Sequence, residues 1–109
     1  MVTGIDCSKD YFDITVLKEG KVTFKNRFAN NIKGFTAMLP HVLDTHVAME
    51  ATGPYYFQLA RFLYQSGERV SVINPLIIRR FAQMRMSRAK TDQKDAMVIA
   101  EFTQMTKPK

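Results

Sequence analysis

The chain has 109 residues, 46% of them hydrophobic and 24% charged, which excludes a disordered tail and allows one domain with its own core. Lys and Arg outnumber Asp and Glu by 16 to 10, so the net charge is +6, a balance that favours a polyanionic partner. A lone cysteine, Cys7, excludes an internal disulfide and any Cys-based zinc site and suits a reducing compartment.

The first third of the chain alternates with period two. Val2-Thr3-Gly4-Ile5-Asp6 is a short apolar run that stops at a carboxylate. Phe12, Ile14 and Val16 share one face of a second run, and Asp13, Thr15 and Leu17 share the other. Glu19-Gly20-Lys21 reads as a turn, and Val22 and Phe24 begin a third alternating run. These runs predict an antiparallel meander of three strands. Asn31, or Asn30 before it, can cap a helix whose stripe is Ile32, Phe35, Leu39 and Val42, with Pro40 expected to kink or restart it. Residues 47–51 form a short apolar strand interrupted by Glu50. Pro54 suits the first position of the next helix, which buries Leu59, Phe62 and Leu63 and stops at Gly67. Residues 70–73 make a fifth strand, and Asn74-Pro75 opens a helix through about Phe81. Residues 83–90 read as a surface loop before a last helix. The order β-β-β-α-β-α-β-α-α predicts an α/β domain with a mixed five-stranded sheet and helices on both faces. No stretch has the length and apolarity of a membrane span, and MVTGIDCSKD lacks a secretion signal's pattern, so a soluble cytoplasmic protein without a membrane partner is expected.

Four acids sit in unusual places. Asp6 ends the first strand, and Glu50 lies within an apolar one. Asp92 and Asp95 stand at the start of a helix that Thr91 can cap, in line with Ala96, Ile99 and Phe102. Each has an ordinary use when taken separately: a turn former, a cap, a charge at a helix N-terminus. Together they fit two neighbouring strands that each end in an acid, with a helix delivering two more. Such a cluster suits Mg2+ or Mn2+, whose remaining ligands are water and phosphate, and two such ions clamp an in-line phosphoryl displacement. His41 and His46 read as surface or capping residues, and Cys7 as a packing residue on the opposite strand face. Of Tyr55, Tyr56 and Phe57, at least two are expected to be buried, although the trio offers rings on which bases could stack.

Gly4-Ile5-Asp6-Cys7-Ser8-Lys9-Asp10, Met49-Glu50-Ala51-Thr52-Gly53-Pro54, Asn74-Pro75 and Arg88-Ala89-Lys90-Thr91-Asp92-Gln93-Lys94-Asp95-Ala96 resemble, in this order, the N-terminal domain of the DEDD transposases. These insertion-sequence recombinases are related to the Piv-type DNA invertases. The resemblance covers nearly all of the chain and implies a ribonuclease H-like (RuvC-like) fold with Asp6, Glu50, Asp92 and Asp95 as catalytic metal ligands. It also implies Mg2+ or Mn2+ as cofactor and DNA as substrate. An element-encoded guide RNA and a homo-oligomeric full-length protein are implied as partners. Family members continue into a helical domain that carries a nucleophilic serine. This chain stops at Thr106-Lys107-Pro108-Lys109, so residues 1–109 are expected to be the catalytic domain alone, incomplete for strand exchange.

Residues 79–94, RRFAQMRMSRAKTDQK, hold Arg79, Arg80, Arg85, Arg88, Lys90 and Lys94 against one acid, Asp92. A charge run is usually a solvated face. Here it leads into the proposed metal site, where a phosphate backbone must arrive neutralised, so these six are the expected nucleic-acid contacts. Two other readings compete. An actin-like or sugar-kinase ATPase half needs glycine-rich phosphate turns, which Cys7-Ser8-Lys9-Asp10 lacks. A non-catalytic module of the same fold, binding nucleic acid or oligomerising, is the stronger rival.

Overall fold

The computed structural model describes residues 1–51, 53–85 and 95–107, apart from the side chains of Arg85 and Asp95. Five strands and four helices follow in the order β1 (Val2–Cys7), β2 (Tyr11–Lys18), β3 (Lys21–Ala29), α1 (Ile32–Val42), β4 (His46–Glu50), α2 (Phe57–Gln65), β5 (Arg69–Ile73), α3 (Pro75–Arg85) and α4 (Asp95–Thr106). The sheet order is β3-β2-β1-β4-β5. β1 to β3 form an antiparallel meander, and β4 and β5 extend the sheet parallel to β1. The architecture is the mixed five-stranded α/β sheet expected from the order of elements.

Each face of the sheet has its own core. Ile5, Phe12, Ile14, Val16, Val47 and Met49 pack against Phe35, Met38 and Val42 of α1 and Leu59 and Leu63 of α2. On the other face Ala48 and Ile73 pack with Ile78 and Phe81 of α3 and Val98 and Ile99 of α4, while Val2 and Leu17 pack with Ala100. β2 is therefore buried on both sides, and its alternation separates two cores rather than a core from solvent. Gly4 is what lets α4 lie directly on β1. A Cβ there would run into the Ala96 carbonyl and the Ala100 backbone, so only glycine fits.

The expected cap of α1 is present, and several other local expectations are corrected. Asn31 caps α1, its side chain accepting a hydrogen bond from the Gly34 amide at 3.0 Å. The helix does not restart at Pro40 but runs through it to Val42. Pro40 lies within the last turn, where Met38 and Val42 hold the segment in the core. Pro54 does not begin α2: Gly53 at φ +57° turns the chain first, and the helix starts at Phe57. That start turns Phe57 outward, because the buried stripe falls on Leu59 and Leu63, so Phe57 is 57% and Tyr55 43% exposed. Only Tyr56 of the trio packs against the core. His46 is buried, not superficial, and its Nε2 lies 2.7 Å from the Ser71 hydroxyl. Burial, helped by Arg69, holds its pKa below the usual imidazole value. His41 is exposed and stacks on Phe24, ring centroids 4.1 Å apart. α3 extends beyond Phe81 to Arg85, so residues 83–85, expected in a loop, are helical. The rest of that expected loop, residues 86–90, lies outside the described residues.

Candidate active site

The parallel pairing of β1 with β4 matches Gly4 with Ala48 and Ile5 with Met49. One residue further along lie Asp6 and Glu50, on strands about 4.8 Å apart. Their faces follow from the pleat. Gly4, two residues before Asp6, lies against α4, and Ala48, two before Glu50, packs under α3 and α4. The two carboxylates thus share the α4 face at the C-terminal edge of the sheet, both half-buried and both engaged by neighbouring groups.

α4 begins at Asp95, and the next residue, Ala96, sits over Gly4. The helix start therefore lies against the strand that carries Asp6. The Asp95 side chain and all of Asp92 fall outside the described residues, as do Arg88, Lys90 and Lys94. Asp6 and Glu50 are consequently the two members of the expected ligand set whose side chains can be placed. Among the described residues no group of three His, Cys, Asp or Glu could hold a metal ion. Asp6 and Glu50 form an all-oxygen pair of adjacent, half-buried acids, a donor set suited to a hard divalent cation.

A third acid stands beside Asp6. The antiparallel pairing of β1 with β2 puts Asp13 directly opposite it. Asp13 accepts hydrogen bonds from Arg27 Nε at 2.8 Å and Nη2 at 3.2 Å, and the same guanidinium lies 3.7 Å from the centroid of the Tyr11 ring. The Arg27 side chain is 58% exposed, so solvent screens the pair and it adds little stability. Its effect is electrostatic: the guanidinium offsets the charge of Asp13 and, at longer range, that of Asp6. Neither Asp13 nor Arg27 was singled out from the sequence. The alternation does assign Asp13 to the side of Thr15 and Leu17, and pairing the first two strands would have found it.

Cys7 points away from the acids into the α1–α2 core. Burial, with the Asp6 carboxylate adding to it, pushes its thiol up to about 12. It stays protonated at neutral pH and serves as a packing residue, neither a nucleophile nor a ligand. The carboxamide of Asn30 donates to the carbonyls of Ser8 at 2.7 Å and Tyr55 at 3.0 Å. It ties together the segments that leave β1 after Asp6 and β4 after Glu50. Of the basic residues, Arg79 and Arg80 are exposed on α3, whose Ile78 and Phe81 face the sheet, and Arg85 is the last residue of that helix.

A meander followed by parallel strands, with acids at the adjacent ends of its first and fourth strands and a helix start beside them, defines a RuvC-like domain of the ribonuclease H-like fold. Thermus thermophilus RuvC in complex with a Holliday junction substrate superposes with a TM-score of 0.61 at 12% identity, covering 95% of this chain and 94% of that one. A second Thermus thermophilus RuvC structure gives 0.62 at 13% identity, with 94% of each chain covered. The chain belongs to the IS110-type DEDD transposase family, whose model, described as Transposase, matches residues 3–108. The pilin gene-inverting proteins of Moraxella lacunata and Moraxella bovis are each 35% identical to it over 91% of this chain and 33% of theirs. The chain spans about a third of the length of these curated relatives. Among the described residues no helix is long and apolar enough to cross a membrane.

Proposed function

We propose that this chain is a catalytic domain for DNA strand cleavage and transfer, working by divalent-metal-dependent phosphoryl transfer in the cytoplasm. The observation that carries the reading is the placement of Asp6 and Glu50 side by side under the start of α4. Asp92 and Asp95 complete the proposed set, and the four acids would hold one or two Mg2+ or Mn2+ ions. When bound, the ions supply charge neutralisation at the phosphate and an activated water or hydroxyl. The protein's own part is to fix the ligands: Asp6 and Glu50 on paired strands, and Asp95 through the close packing of α4 on Gly4. DNA is the proposed substrate. The Moraxella relatives are named for inverting a pilin gene, and Thermus RuvC was solved with a Holliday junction. Residues 1–109 would be the N-terminal RuvC-like part of a longer recombinase. A guide RNA, assembly into a homo-oligomer and complete strand exchange belong to the proposal for that whole protein.

Cleavage is tested on branched and linear DNA with Mg2+ or Mn2+ titrated in. Metal-dependent nicks that Glu50→Gln abolishes are the expected result. Binding without nicking at any metal concentration would leave a nucleic-acid-binding module of the same fold.

The basic stretch makes a separate prediction. Its contacts go to phosphates, so binding should be sequence-blind and should weaken steeply with salt. Replacing Arg85, Arg88 and Lys90 together by Ala should flatten the slope of log K against log salt by up to about two to three units. Filter binding across a salt series measures it, and an unchanged slope places the binding surface elsewhere.

A further inference from the structure

A groove on the opposite face of the sheet from the acids has features of a ligand site. It opens between the turn after β1, the N-terminus of α1 and the outer side of α2, with a volume of about 580 Å3. That is within the usual range for sites that enclose a small organic group. Its floor is apolar, built on Phe35 and Phe62 with ring centroids 5.4 Å apart. Its rim carries Lys9, Arg61 and the ring of Tyr55, which is 43% exposed. None of the described residues lining it is acidic. The rim is also braced, because Asn30 holds the carbonyls of Ser8 and Tyr55 in one pair of hydrogen bonds.

Two cations without a lining acid select an anion, and an exposed ring over an apolar floor selects a flat one. Phosphates joined to bases combine both properties. We propose that the groove holds a single-stranded polynucleotide segment, with one base stacked on Tyr55 and its neighbouring phosphates on Lys9 and Arg61. The segment's role rests on the nuclease reading of the acids. Lys9 lies three residues beyond Asp6, and Tyr55 five beyond Glu50. A strand separated from a duplex at the carboxylates would therefore need only to cross the sheet edge to enter the groove.

Fluorescence anisotropy with labelled oligo-dT and oligo-U of about eight nucleotides, and with a duplex, tests the proposal on the 109-residue chain. Tyr55→Ala should weaken single-strand binding about tenfold or more and spare duplex binding, while Tyr55→Phe should bind like the parent. Lys9→Ala combined with Arg61→Ala should reduce the salt slope on single strands by about 1.4 units. These side chains are exposed, so circular dichroism should show every variant folded. Preference for oligo-dT or for oligo-U, within a Tyr55-dependent affinity, identifies DNA or RNA as the occupant. Single-strand binding unchanged by Tyr55→Ala, or lost equally on duplex, overturns the proposal. If such unchanged binding is instead lost on replacing Arg85, Arg88 and Lys90, the groove fails while the nuclease reading stands. If the parent chain binds no nucleic acid, both fail.

Discussion

Gly4→Ala should cost about 3 kcal/mol or more of folding stability, although it adds a single methyl group. The added Cβ meets backbone, the Ala96 carbonyl and the Ala100 amide and Cα, none of which can rotate out of the way. Overpacking of a core ordinarily costs about 1–3 kcal/mol, and a collision with backbone belongs at or above the top of that range. For a domain with roughly 5–15 kcal/mol in total, the melting temperature should fall on the order of 10–20 °C. The consequence for the site follows from where the collision lies. Relieving it lifts the first turns of α4 from β1, and Asp95 is the residue before Ala96. Gly4→Ala should thus impair metal binding even under conditions where the chain stays folded. Gly20→Ala is the control: its φ of +82° strains any side chain, but nothing lies within 4 Å of the new methyl. That variant should lose about 1–2 kcal/mol, less than Gly4→Ala, and keep metal binding intact. Chemical denaturation curves measure both. A Gly4→Ala protein within about 0.5 kcal/mol of the parent would mean that α4 does not pack on β1 as described.

The features legible in the sequence and those that were not separate along a physical line. Hydrophobic period assigns residues to faces, so the two sides of β2 and the strand ends carrying Asp6 and Glu50 are legible. Of the stripe expected for α1, by contrast, only Phe35 and Val42 are buried, Ile32 is 62% exposed and Met38 takes the core position. Period does not say which strand lies beside which. The placement of Asp13 beside Asp6 depends on the β1–β2 register and its ion pair with Arg27 on the β2–β3 register, properties of the pairings rather than of any one strand. At least two of Tyr55, Tyr56 and Phe57 are expected inside because rings are large and mostly apolar, yet Tyr55 and Phe57 are exposed. Gly53 and the late start of α2 decide this, since a shift of three residues rotates a helix start by most of a turn. His46 escaped for the opposite reason: an imidazole reads as polar, yet Ser71 on the neighbouring strand supplies the hydrogen bond that lets it be buried.

Asp6→Asn should separate a metal site from a set of structural acids. Asp6 lies between Glu50 on β4 and Asp13 on β2, and Arg27 is hydrogen-bonded to Asp13. Two carboxylates about 4 Å apart repel by roughly 1 kcal/mol in water and about 4 kcal/mol at an effective dielectric near 20. Asn keeps the shape of Asp and one acceptor oxygen, so a hydrogen bond accepted there survives while the repulsion disappears. Metal-free Asp6→Asn should accordingly be as stable as the parent or more so. A structural acid would behave the other way, losing about 1–3 kcal/mol as its partner goes unsatisfied. Mg2+ at about ten times its dissociation constant should stabilise the parent by RT ln 11, about 1.4 kcal/mol. In a domain this small that raises the melting temperature on the order of 5–10 °C. Asp6→Asn should lose most of the rise, because a neutral amide is a poor ligand for a hard cation. Its nicking rate should fall at least about 100-fold, since metal stabilisation of the transition state is worth several kcal/mol and each 1.36 kcal/mol is about tenfold. Melting curves in EDTA and in Mg2+ decide the matter: a variant less stable than the parent in EDTA, yet equally stabilised by Mg2+, would show that Asp6 holds the fold and not the metal.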